Sequence, residues 1–208
     1  MKVNLYTIIF SAVVGIICAG LLAGADSFTR PYVKANKRAE QVKNIMDVLG
    51  LSYPDNAGAR KLLEIFEEKS SKTTVDGLTI YKYTAAEGDP PVAVLFQGSG
   101  VWGPIKGVLA LEPDMRTIRD IAFYDQEETP GLGAKIATEE FTSRFEGKVI
   151  APEDDGKQKA GLKITAPGEA SGAQEVDGIT GATMTSDRVE KMLNDVISEI
   201  VAKVNGNV

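Results

Sequence analysis

Residues 3–25 carry no charged side chain, and this run restricts the chain more than any other feature. An apolar helix of about 20 residues crosses the hydrocarbon core of a bilayer, where every backbone polar group has to be satisfied within the segment. Ile8-Ile9-Phe10, Val13-Val14, Ile16-Ile17 and Leu21-Leu22 supply the apolar surface. A cleaved signal peptide is the competing reading, because Ala23-Gly24-Ala25 is an A-x-A-like site after a lysine-bearing start. The run exceeds the roughly 7–15 residues of a usual signal core, which favours a retained, single-pass anchor. Cys18 follows Gly15-Ile16-Ile17, not a lipoprotein cleavage context, and reads as a small apolar residue. Arg30, Lys34, Lys37 and Arg38 flank one side, Lys2 the other. Flanking charge alone would hold the following domain in the cytoplasm, although long domains translocate largely regardless of charge.

The chain of 208 residues accommodates that anchor and one globular domain. A net charge of −6 with interspersed signs argues against a nucleic-acid partner, which needs a basic face. It also argues against a domain lying flat on anionic lipid. Histidine is absent and Cys18 is the sole cysteine. Neither a disulfide, a thiolate zinc site, an iron–sulfur cluster nor histidine-ligated haem can be assembled from this chain alone. A redox carrier held here would have to be organic.

Beyond the anchor (1–30), residues 31–74 read as a helical connecting segment and 75–208 as the folded domain. Pro31 is expected to punctuate the exit from the membrane. Ala39, Val42, Ile45, Met46 and Leu49 recur at helical spacing up to Gly50, and a short charged helix is expected over 61–69. Strand-like runs follow at 78–83, 92–96, 105–111 and 118–124, with Pro90-Pro91 and Pro113-Asp114 as turns. A helix is expected over 138–145 and a strand over 162–165. Val189, Met192, Leu193, Val196, Ile197, Ile200, Val201 and Val204 trace one face of a C-terminal helix. Asp187 with Glu190 suggests a capping arrangement that starts this helix near Ser186. The expected class is α+β, one domain with a mainly antiparallel sheet flanked by helices.

Before that helix stands Asp177-Gly178-Ile179-Thr180-Gly181-Ala182-Thr183-Met184-Thr185. A hydroxyl-rich loop of small residues that feeds a helix N-terminus favours phosphate, because free N–H groups and the positive dipole end converge there. Gly178 and Gly181 permit tight backbone and close ligand approach. No lysine follows Gly181, so this is not a Walker-type loop. Plain capping by Thr185 or Ser186 would explain one hydroxyl. It leaves unexplained the grouping of three threonines with two glycines.

The stretch Asp-Gly-x-Thr-Gly-Ala-Thr resembles the flavinylation motif of the FMN-binding domain family. Two further segments resemble family motifs in family order: Gly98-Ser99-Gly100-Val101-Trp102-Gly103-Pro104-Ile105, and Glu128-Thr129-Pro130-Gly131-Leu132-Gly133. The resemblance spans about residues 75–205. It implies FMN held by a phosphoester to the last motif threonine, here Thr183, installed by a separate flavin transferase that uses FAD. It further implies a bacterial inner-membrane protein with its domain on the periplasmic face and other membrane subunits as partners.

Within the family, two membrane redox complexes carry such subunits, a Na⁺-translocating NADH:quinone oxidoreductase and the Rnf ferredoxin:NAD⁺ complex. Val101-Trp102-Gly103-Pro104-Ile105 and Phe123-Tyr124-Asp125-Gln126 look more like the former; the short chain is closer to the latter. The resemblance implies an electron relay with no substrate chemistry of its own. Thr183 would be the attachment point, with Thr180, Gly181, Ala182 and Gly178 around the phosphate. Glu128, Thr129, Gly131, Leu132 and Gly133 would wall the ring pocket, and Trp102 would contact the flavin. Asp177 would shape the turn or be recognised with metal during attachment. A different class remains, a membrane-tethered module that grips a diffusible phosphate ligand.

Overall fold

The computed structural model describes residues 4–75, 77–84, 89–151 and 160–204. Lys2 and Val3 lie outside this set, and of Val204 only the backbone is included. Helix α1 (Leu5–Val48) is continuous over 44 residues and passes through Pro31 unbroken. The expected break there is corrected: α1 joins the anchor and the connecting helix into one rod. One turn below the proline, Thr29 Oγ1 donates to Ala25 O (2.9 Å), and Arg30 pairs with Asp26. Helix residues of α1 as far as Arg38 are exposed, Cys18 among them, and burial begins at Ala39. An 18-residue stretch of α1 is apolar enough to cross a membrane, and none of it is buried in the fold.

Helix α2 (Ala59–Lys69) leads into a five-stranded sheet in the order β1 (Ser70–Val75), β2 (Leu78–Tyr83), β3 (Val92–Ser99), β4 (Pro104–Leu111) and β5 (Ile118–Asp125). Every pairing in it is antiparallel. The Pro113-Asp114 turn closes β4 onto β5, and Asp114 fastens it by accepting from Arg116 N (2.8 Å) and Thr117 N (2.9 Å). Strand β1 carries no strand signal of its own, because Ser-Ser-Lys-Thr-Thr offers almost no apolar surface. Such polarity suits an edge strand, whose outer side must stay wet.

The sheet is buried on both faces. Val94, Phe96, Ile105, Leu109, Ile121 and Phe123 project into one core, where helix α4 (Thr183–Val204) and the segment around α3 (Glu139–Thr142) cover them. Ala93, Val108 and Ala110 project into the other, beneath Val42, Ile45 and Met46 of α1 and Leu62 and Phe66 of α2. Gly107 is required at the centre: a Cβ there would lie 2.2 Å from Phe96 Cζ and 2.6 Å from Ala122 O. The vacated space lets Phe96 meet Phe123 edge-on, with centroids 5.6 Å apart.

Strand β6 (Lys163–Thr165) pairs in parallel with β7 (Glu175–Asp177), a three-residue strand too short and polar to register in the sequence. Between 133 and 145 the expected helix is a 3-10 turn (Gly133–Ala137), the single turn of α3 and a second 3-10 turn (Ser143–Phe145). Phe141 and Phe145 bury their rings from this segment.

Leu193 is fully buried where α4 meets the sheet. Leu193→Ala removes that side chain from a packed interior and is expected to lower stability by about 2–5 kcal/mol. Chemical denaturation of the full chain in mild detergent measures the change.

Candidate functional site

The segment 177–185 is delivered by β7 and continues directly into α4. Asp177 Oδ1 accepts from Gly168 N (2.7 Å) and Ala170 N (3.0 Å). These backbone donors, Ala170 foremost, hold its carboxyl below the ordinary carboxylate value. Of the two roles considered for Asp177, the geometry is that of a loop former. Arg144, which no motif marks, grips the other side. Its Nη1 donates to Asp177 O (3.0 Å) and Gly178 O (2.9 Å), and its Nη2 pairs with Glu140 (3.0 Å). Only the i, i+4 spacing of Glu140 and Arg144 could have singled it out from sequence. Gly178 is packed so closely that a Cβ would stand 2.7 Å from Thr165 O.

Gly181 adopts φ 76°, a left-handed conformation that favours glycine, and turns the chain into the helix. Ser186 N donates to Ala182 O (3.0 Å), so the helical ladder begins at Ala182 and α4 starts at Thr183. This corrects the expected start near Ser186. Glu190 closes no capping box; it accepts from Ile164 N (2.6 Å) and pairs with Lys163 (3.1 Å), tying β6 to the helix. Thr183 therefore stands in the first turn itself, with its side chain exposed. The N–H groups of Thr183, Met184 and Thr185 have no protein acceptor among the described residues. Three free donors at the positive end of a 22-residue helix suit an anion.

The other two motifs reach this helix through one residue. Glu128 is 4% exposed and its carboxylate serves two elements. Oε1 accepts from Val101 N (2.8 Å) and Trp102 N (3.3 Å); Oε2 accepts from Thr185 Oγ1 (2.7 Å). Small residues make room for it: a Cβ on Gly100 would lie 2.4 Å from Oε1, and one on Gly133 2.8 Å from Oε2. Thr129 O accepts from both Leu132 N and Ala134 N (3.1 Å each), curling the loop, and Gly131 takes φ 76° within it. Leu132 is thereby brought against Gly181, 3.2 Å from where a Cβ would be.

The structure thus brings Thr183, Thr180, Gly181, Ala182, Gly178, Glu128, Thr129, Gly131, Leu132, Gly133 and Trp102 into one neighbourhood, with two groups of roles. Glu128, Gly133, Gly178 and Ala182 face inward and build the scaffold. Thr180, Thr183, Thr129, Gly131, Leu132 and Trp102 are exposed. Trp102 is 71% exposed, Met184 63% and Leu132 44%, and outside α1 these are the large hydrophobic side chains left open to solvent among the described residues. A cleft of about 220 Å³ adjoins Thr180, lined by Lys135, Arg144 and Asp177 among others. Free helical N–H groups, an accessible threonine hydroxyl and bare apolar surface beside them fit a ligand that is anionic at one end and aromatic at the other, as FMN is.

Residues 100–198 match the family model described as the FMN-binding domain. Among curated relatives, the NqrC subunit of the Na(+)-translocating NADH-quinone reductase of Pasteurella multocida is 30% identical over 152 residues, 73% of this chain and 53% of that protein. Its Haemophilus ducreyi counterpart is 23% identical over 223 residues, covering 88% and 86%. Against the first two relatives the chain spans about half their length, 53% and 42%. The crystal structure of the same reductase subunit from Parabacteroides distasonis superposes with a TM-score of 0.67 at 26% identity, over 84% of this chain and 95% of that one.

Glu128→Leu leaves two backbone donors and the Thr185 hydroxyl facing an apolar side chain. A loss of about 1.5–3 kcal/mol is expected, read as a shift in denaturation midpoint. Acid acts on Asp177 separately. Its folded pKa is depressed, so its contribution is present above the unfolded value of 3.8 and is lost as pH falls through the folded value. Amide exchange at Gly168 and Ala170 is expected to rise over that acidic window in the native chain, and to be high already at neutral pH in Asp177→Asn.

Proposed function

Residues 100–198 belong to the FMN-binding domain family, and on that premise we propose that this chain is an electron-carrier subunit of a Na⁺-translocating NADH:quinone oxidoreductase, anchored by α1 and bearing one covalent FMN on Thr183. The relatives named as the NqrC subunit of that reductase support the assignment. In this reading the chain takes electrons from one neighbouring subunit's cofactor and gives them to another, within a membrane complex that couples NADH oxidation by quinone to ion transport. The domain stands on the outer, periplasmic face of the inner membrane.

The observation that carries the proposal is the placement of Thr183, an exposed hydroxyl on the first turn of α4 beside N–H groups without protein acceptors. For attachment, the Thr183 hydroxyl gives up its proton and forms an Oγ1–phosphorus bond to the FMN half of FAD. The pyrophosphate bond breaks and AMP leaves, under a flavin transferase that acts during maturation. The resulting phosphodiester keeps a negative charge at the helix end, where N–H donors and dipole favour it. Thr180 offers a second exposed hydroxyl beside the phosphate position.

Bound FMN supplies the redox chemistry, and the protein sets its position and potential. Leu132 and Trp102 offer apolar surface to the ring, and Thr129 a hydroxyl to its polar edge. Glu128 acts at one remove. By joining the Trp102 backbone to Thr185, it holds the wall of the ring site at a fixed distance from the attachment point.

Intact-mass measurement of protein matured in its native host is expected to show the chain plus FMN less one water. In-gel fluorescence should survive boiling in detergent, vanish in Thr183→Val, and persist in part in Thr180→Val and Thr185→Val. An unmodified mass from a host with an active transferase would overturn the proposal in favour of a module that grips a diffusible phosphate ligand.

A further inference from the structure

The exit of α1 from the membrane and the motif loops leave the sheet at the same end. Lys37 of α1 lies 3.5 Å from Asp125, and Gln41 donates to Tyr124 Oη (3.1 Å). Further along the helix, Asp47 acts on Asp120, and Gly50 sits against Arg119, whose Nη2 is 3.0 Å from the position of a Gly50 Cβ. As β5 runs from Arg119 to Asp125, α1 therefore runs backward from Gly50 to Lys37. The membrane segment lies beyond Lys37, past the Asp125 end of β5.

Strand register shows what else is at that end. Asp125 pairs with Lys106, two residues from the start of β4 at Pro104, and Pro104 pairs with Ser99, the end of β3. The loop 100–103 caps these two strands and is closed by Gly100 N donating to Gly103 O (2.8 Å). Residues 126–133 continue from Asp125, and Glu128 holds the start of α4 against them. The domain is locked to the helix by the ion triad Lys37–Asp125–Lys106, with Lys106 at 2.7 Å, and by burial of α1 from Ala39 onward.

Dimensions agree. If the apolar span ends near Ala25, the twelve residues to Lys37 rise about 18 Å in a helix. The headgroup layer takes about 5–8 Å of this. Phe28 and Tyr32, exposed and with ring centroids 6.1 Å apart, fall at that depth, where aromatic side chains favour the membrane interface. From the Lys106 level, Pro104 lies about 7 Å further toward the membrane, and the Trp102 loop continues beyond it. What remains is a narrow gap between the loop tips and the lipid surface.

We propose that the end of the domain bearing Trp102, Leu132 and Met184 faces the lipid–water interface of the membrane that holds α1. The inference rests on α1 as a membrane anchor and is independent of how a flavin is attached. Net negative charge keeps the domain from lying flat, and the rigid stalk of residues 26–38 presents this end to the interface instead. The exposed apolar side chains of the site then meet the amphipathic headgroup zone, and the electron partners belong in the membrane plane, not among soluble carriers arriving from the aqueous side.

Trp102 is the single tryptophan and serves as the probe. The full-length chain is reconstituted in phosphatidylcholine vesicles containing a headgroup-nitroxide lipid, both as matured protein and as the flavin-free Thr183→Val form. Trp102 fluorescence is compared with that of Asp55→Trp and Pro113→Trp, each in a Trp102→Phe background; both positions are exposed at the opposite end. Quenching of Trp102 several-fold stronger than of either distal probe is the expected result in both forms. Equal or reversed quenching would overturn the inference, including the case in which a protein partner covers this end. Either distal probe suffices if the other variant does not fold. A failed flavin assignment shows in the mass measurement and leaves this comparison intact.

Discussion

One buried carboxylate holds the site together. Glu128 accepts from the backbone of the loop between β3 and β4 and from a hydroxyl in the first turn of α4, so three segments remote in sequence share its two oxygens. A buried charge is tolerated only when its hydrogen-bonding capacity is met. Here the donors that meet it are parts of the site, so the charge cannot be satisfied without the site closing. The glycines at 100 and 133 follow from the same requirement, since a methyl group on either would occupy the space of a carboxylate oxygen.

From that junction the division of labour follows. Inward groups set the geometry, while exposed ones, Thr183, Thr180, Leu132 and Trp102, are left for a ligand. The helix that begins at Thr183 is anchored away from the site by Glu190 on β6, by Met192 against Gly98, and by Leu193 in the core. The N-terminal turn is thus fixed in place before any anion arrives, and its free donors need no rearrangement to receive one.

The long first helix joins this arrangement to the bilayer. Because α1 is unbroken through Pro31 and packs along β5, the orientation of the domain is inherited from the orientation of the anchor. A flexible tether would have left the domain free to turn. A proline is tolerated inside a helix where the freed carbonyl finds other partners, and on the exposed stalk water is available to it.

The sequence by itself determined the pieces whose signals are local. An uncharged run of spanning length, an unbroken apolar stripe from Val189 to Val201, four apolar strand runs and the hydroxyl-rich loop before the last helix each follow from a periodicity or composition confined to one segment. It also located Thr183 and the three motifs through their order along the chain. Only the tertiary structure decided what the polar residues do. Glu190, suited by spacing to a capping box, instead serves a strand 26 residues away. Asp177 shapes a loop, Arg144 clamps two carbonyls, and Glu128 turns inward to join what the sequence shows as separate motifs. Strands β1 and β7 carry too little apolar surface to be seen alone and exist because neighbours pair with them. Apolar burial is written residue by residue, whereas a hydrogen-bond partner is chosen among all groups that folding brings within about 3 Å, and that choice is made in space.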